Sequence, residues 1–212
     1  YKKRFKTAVK STYGGGHIMH RLENRLNLLE EKIKQPNFRE NKGLGNEVGY
    51  YVFDYSPEHE LMVREFTQRL QKKHSSRSHG FTVAVYDLYD LIIDLLFREG
   101  FFEICVDKEK KKGFSEIIQG VNELLRMDED NANNEIISHI KKNTEPDSVI
   151  FLTGVGKCYP ILRSHKILNI LHQHIDDVPV VMLFPGEYDG HSLTLFSEIK
   201  DENYYRAFKL ID

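Results

Sequence analysis

No stretch of this 212-residue sequence approaches the roughly eighteen consecutive apolar residues that a membrane-crossing helix needs. A secretory leader is not visible either, because the basic N-terminus is followed by no apolar run. Cysteine is scarce. Cys105 and Cys158 are the only two, too few for a disulfide framework and in keeping with a reducing cytoplasm. Acid is missing from residues 1–18, which hold Lys2, Lys3, Arg4, Lys6 and Lys10. The chain as a whole carries a net charge of −2, so residues 19–212 carry −7. That balance speaks against a dedicated nucleic-acid binder, whose affinity rests on neutralising phosphates. What is abundant is apolar and aromatic surface, 40% and 11% of residues, too much for a disordered chain and enough for a sizeable core.

The basic segment reads as foreign to the rest of the chain. Gly14, Gly15 and Gly16 have the composition of a flexible spacer, and Met19 opens a strongly patterned stretch. Residues 1–18 are therefore expected to be an extension, a tag, linker scar or tethered peptide, on a single domain of residues 19–212.

Within that domain the pattern alternates. Leu22, Leu26, Leu29 and Ile33 predict a helix over residues 20–34. Residues 48–53 read as a strand ending at Asp54, followed by a helix over 57–71 with Ser56 as its cap. Residues 81–86 form the next predicted strand. Asp87 then starts a helix bearing Leu88, Leu91, Ile92, Leu95 and Leu96. The lysine-rich run 108–112 is expected as a solvated turn, and amphipathic helices follow over 114–125 and around Ile136, Ile137 and Ile140. Strands at 148–152 and 178–184 flank a helix over 165–175 capped by Ser164. Residues 185–190 read as a sharp loop, and the segment 204–211 as a last strand. Such alternation predicts an α/β fold, a mostly parallel sheet of about five strands flanked by helices in a Rossmann-like three-layer arrangement.

A parallel sheet gathers the strand ends on one edge, where ligands bind in this class of fold. Asp54, Asp87, the loop 153–157 and the loop 185–190 belong there. The loop Thr153-Gly154-Val155-Gly156-Lys157 invites a nucleotide reading that its spacing refuses. Phe151 stands where a phosphate loop needs its first glycine, Cys158 where it needs Ser or Thr, and Tyr159 where a dinucleotide fingerprint needs glycine. Two glycines and a lysine after a strand serve either anion binding or a tight turn. Cys158 beside His165 or His191 is a weak nucleophile candidate, and residues 128–134 fail as a calcium loop at three positions. The loop Lys42-Gly43-Leu44-Gly45-Asn46 precedes a strand and so reads as a connector. The polar loop 74–80, with His74 and His79, reads as solvated. No catalytic residue, metal site or cofactor is predicted. The candidate edge consists of Thr153, Gly154, Gly156, Lys157, Arg163, Glu187, Tyr188 and Asp189, read as a ligand- or partner-binding surface.

Several longer stretches carry a resemblance. They include Asn41-Lys42-Gly43-Leu44-Gly45-Asn46-Glu47, Phe53-Asp54-Tyr55, Phe151-Leu152-Thr153-Gly154-Val155-Gly156-Lys157 and Phe184-Pro185-Gly186-Glu187-Tyr188-Asp189-Gly190. Together with Arg163-Ser164-His165, Val178-Pro179-Val180-Val181 and Asn203-Tyr204-Tyr205-Arg206-Ala207-Phe208 they closely resemble the BrxB proteins of bacterial BREX phage-defence systems, collinearly over residues 19–212. The resemblance implies a non-enzymatic adaptor that assembles with other BREX proteins, PglZ in particular, and it supplies no functional residues. No strong nucleic-acid partner is expected from the charge of residues 19–212, and no membrane from the lack of a long apolar run. The alternative is a nucleotide- or phosphate-binding enzyme using the crevice around Gly154 and Gly156.

Overall fold

The computed structural model describes residues 12–40, 49–75, 80–126, 134–201 and 207–212. Helix α1 spans Thr12–Lys34, and its stripe Leu22, Leu26, Leu29 and Ile33 is buried. The helix starts earlier than the apolar periodicity indicates and takes in the glycine run 14–16. Three glycines oppose helix by about 1 kcal/mol each, so these first turns extend a helix that is anchored from Leu22 onward. The short helix α2 (Pro36–Arg39) adds buried Phe38. Strand β1 (Tyr50–Tyr55) is buried along its whole length. A 3-10 turn at Pro57–His59 then leads into α3 (Glu60–Lys73).

Strand β2 (Thr82–Asp87) runs straight into α4 (Leu88–Arg98), and Asp87 caps that helix by accepting from the Tyr89 and Asp90 N–H groups. Helices α5 (Phe102–Lys112), α6 (Ser115–Leu124) and α7 (Glu135–Asn143) follow. Strand β3 (Ser148–Thr153), the one-turn helix α8 (Val155–Cys158) and α9 (Ser164–His174) lead to β4 (Val180–Tyr188). The chain ends with β5 (Leu193–Leu195), β6 (Ile199–Asp201) and β7 (Phe208–Lys209).

The main sheet has the order β2-β3-β4-β1-β7, with every neighbouring pair parallel. This is the expected five-stranded parallel sheet, with the hairpin β5–β6 added antiparallel to the end of β4. Travel along the sheet reverses at β2, and right-handed crossovers then put the helices before and after it on opposite faces. Side chains alternate accordingly. Tyr51, Phe53, Val149, Phe151, Val181 and Leu183 pack with α1 and α3. Tyr50, Val52, Ile150, Leu152, Val180 and Met182 pack with α4, α6, α7 and α9. The result is a three-layer α/β molecule with two cores.

Four local expectations are corrected. The lysine run 108–112 is the last part of α5 rather than a turn. Arg163, not Ser164, sits at the N-cap of α9, and no side chain caps it. His74 is buried at the end of α3 and stacks on Phe81, with ring centroids 4.5 Å apart, instead of lying in a solvated loop. The fourth concerns residues 185–190, where β4 continues through Tyr188 before the chain turns. Pro185 still pairs with Tyr55 in the parallel ladder, while Gly186 already pairs with Leu195 of the hairpin. Proline and glycine here mark a hand-over between ladders. A Cβ at Gly186 would collide with the Thr194 carbonyl oxygen. The glycine-rich connector 42–46, most of the calcium-like segment 128–134, His79 and the stretch 203–206 lie outside the described residues.

Candidate functional site at the carboxyl edge of the sheet

The register places Asp54 against Phe184, Tyr55 against Pro185 and Asp87 against Thr153, so the strand ends do share one edge. Asp54 lies there on β1, between β4 and β7. Only 7% exposed, its carboxylate is fully engaged. Oδ1 accepts from Arg25 at 2.6 Å. Oδ2 accepts from the Tyr188 N–H at 3.1 Å and pairs with Lys209 Nζ, also at 3.1 Å. Arg25 donates further to the Asp54 and Ile211 carbonyls and lies over the Phe53 ring. Lys209 donates to the Tyr188 carbonyl. One carboxylate thus joins α1, β1, β4 and β7. A buried charge needs such partners, because an unpaired one would pay its full desolvation cost.

Above this knot opens a polar cleft of about 310 Å³ lined by Arg21, Arg25, Asp54, His59, Glu187, Ser197, Lys209 and Asp212 among others. Both cations and anions line it. Arg21, Glu187 and Asp212 are the exposed charges on its walls.

A second network closes the neighbouring strand ends. Lys157 Nζ lies 2.7 Å from Asp87 Oδ2 and 3.2 Å from Asp90 Oδ1, with the Tyr89 ring beneath it. Burial pulls the Lys157 ammonium's pKa down, but the two carboxylates outweigh it and the net direction is up. Gly154 adopts φ +73°, and a Cβ there would strike the Asp87 carboxylate. At Gly156 a Cβ would lie 2.8 Å from the Phe196 ring and 3.2 Å from Pro185. Both glycines are therefore needed for close packing, and the tight-turn alternative accounts for them. The hairpin turn that brings Phe196 over Gly156 holds Phe196 and Ser197 at φ 55° and 57°, a left-handed conformation that side chains avoid.

The eight predicted edge residues separate into two groups. In the first, Gly156 meets the β4–β5 hairpin at Pro185 and Phe196, so the two predicted loops are neighbours, while Thr153, Gly154 and Lys157 face Asp87. Tyr188 is not an exposed anchor. It is 1% exposed, and its hydroxyl donates to the Ala207 and Gly190 carbonyls. Asp189 is exposed but holds its turn, accepting from the His191 and Ser192 N–H groups and the Ser192 hydroxyl. Those donors pull its carboxyl down to about 2. Arg163 is exposed at the start of α9, and Glu187 is exposed on β4. Arg25 and Lys209 were missed from the sequence. Arg25 borders the apolar stripe of α1, and Lys209 belongs to a two-residue strand too short to show alternation.

Cys158 is buried, and burial pushes its thiol up to about 12, so at neutral pH it is a neutral filler of the core. Among the described residues, no group of three or more His, Cys, Asp and Glu side chains is arranged to hold a metal ion. Within the same residues, no helix is long and apolar enough to cross a membrane.

Comparison with known proteins supplies what the geometry does not. A family model described as BREX protein BrxB matches residues 84–210. The chain is 46% identical over 195 residues to a BREX protein BrxB of Bacillus cereus (strain H3081.97), covering 92% of this chain and 100% of that one. It is 32% identical over 192 residues to a BREX protein BrxB of Escherichia coli O9:H4 (strain HS), covering 90% and 92% respectively. No solved structure matches the chain significantly.

Proposed function

The chain belongs to the BrxB family of BREX proteins, and from this premise we propose that it is a non-enzymatic adaptor of a BREX anti-phage complex that binds PglZ through the carboxyl edge of its sheet. The observation that carries this reading is the state of the charges there. Asp54, Asp87 and Lys157 are held by partners inside the fold. Catalysis by acid, base or nucleophile needs a group positioned toward substrate. Exposed groups at this edge, Arg21, Arg163, Glu187 and Asp212 among them, are of the kind that set orientation and partner choice in an interface.

The test is a titration of purified PglZ with this chain. Binding at micromolar affinity or better is expected. The double reversal Arg21→Glu with Glu187→Arg should weaken it at least tenfold, about 1.4 kcal/mol, at unchanged melting temperature. Absence of binding to PglZ removes the partner assignment. Binding that ignores the reversal moves the interface elsewhere.

A further inference from the structure

Among the described residues, the helical layer behind the sheet leaves an apolar face uncovered. Helix α5 buries none of its residues. Phe97, Phe101, Ile104 and Phe114 are exposed by 58%, 41%, 55% and 42%. Between α5 and α6 runs a groove of about 320 Å³, lined by Phe101, Ile104, Cys105 and Lys108 on one side and by Glu116, Ile117, Gly120, Glu123 and Leu124 on the other. Both sets follow helical spacing, so the groove is about two turns long.

Gly120 is the informative residue. It sits inside α6 with helical dihedrals, where glycine is unfavourable relative to alanine. No neighbour demands it, since an added Cβ would meet nothing nearer than Lys108 Nζ at 4.0 Å. The packing of this fold does not use the missing side chain. Its effect is to deepen the groove.

We propose that this groove receives an amphipathic helix of another BREX protein, and that it is the adaptor's second surface. The rim defines the occupant. Lys108, with Lys111 and Lys112 one helical turn beyond it on the same face of α5, forms a basic end on one wall, while Glu116 and Glu123 make the other wall acidic. The complement is a helix with apolar anchors about two turns long, acids toward α5 and bases toward α6. Helix-in-groove recognition uses anchors of this spacing. The proposal rests on the adaptor reading of the family.

Cys105 supplies the readout. It lies in the groove and is half-buried, whereas Cys158 is fully buried. The other BREX proteins are added singly, or to the complex with PglZ, and alkylation of Cys105 by iodoacetamide is timed. One of them is expected to slow it at least tenfold. Gly120→Leu, which fills the groove, and Ile104→Asp, on its exposed wall, should each weaken that partner at least tenfold without lowering the melting temperature. Glu65→Ala, exposed on α3 at the opposite face of the sheet, should leave it unchanged. If complexes form while Cys105 reacts at its free rate, the groove is not the second surface, and the adaptor reading stands. If Cys105 becomes protected in the isolated chain as its concentration rises, a second copy is the occupant and the proposal is wrong. If no BREX protein binds at all, both readings fall together.

Discussion

Asp54 shows how much one side chain can organise. Its three partners come from three different elements, so removing it leaves Arg25 and Lys209 facing each other in a largely buried space. Asp54→Ala is expected to cost about 3–5 kcal/mol in chemical denaturation. A loss below about 1 kcal/mol would mean that water reaches the cations and that the knot is not a stability element. Gly154 is constrained twice, by its positive φ and by the Asp87 carboxylate. Gly154→Ala should therefore destabilise by about 2–4 kcal/mol, where a simple flexible turn would lose only a few tenths. Asp189 offers a check by pH. Its folded carboxyl is depressed from 3.8 to about 2 by the hydrogen bonds of its turn. A depressed acid contributes its stabilisation above the unfolded value and loses it as pH falls from about 4 toward 2. Carboxyl carbon shifts followed by NMR should show Asp189 titrating near 2, and a midpoint near 4 would show that the turn does not form in solution.

At the level of elements, the periodic signals were reliable wherever one face is buried. The stripe of α1, the buried runs of β1 and β3, and the apolar side of α4 were all readable from spacing, because burial imposes the period. Two elements escaped for opposite reasons. Helix α5 buries nothing of its own, so its charged end resembled a solvated turn. Strand β4 was cut short at residue 184 because Pro185 and Gly186 are turn signals in isolation. Here they serve the change from a parallel to an antiparallel neighbour, which no local pattern encodes. Gly120 gives this scale its own prediction. Because its missing side chain would meet only Lys108 Nζ, at 4.0 Å, and the position lies inside a helix, Gly120→Ala is expected to stabilise the protein by about 0.5–1 kcal/mol in thermal or chemical unfolding. A loss of stability would show that the groove closes over that position in solution.

The whole molecule places its parts by topology, and that level was readable in outline. Alternating strands and helices implied the three-layer sheet and the shared edge. They did not reveal that α1 and the C-terminal strand meet at Asp54, since Arg25 and Lys209 come together only across 184 positions of sequence. Nor did they reveal what becomes of the crevice. In an open parallel sheet, nucleotides settle beyond the strand ends, with phosphate on glycine-rich backbone. Here β4 runs past that edge and its hairpin folds back, laying Phe196 against Gly156, while Asp87 occupies the space beside Gly154 and holds Lys157. The space beside both glycines is thus taken by the protein's own side chains. Calorimetry with ATP or GTP and magnesium is accordingly expected to show nothing tighter than about 1 mM, about 4 kcal/mol. Micromolar binding abolished by Lys157→Ala would require the hairpin to swing away and Lys157 to leave Asp87. It would turn the edge from a partner surface into a nucleotide site and favour an enzyme over an adaptor.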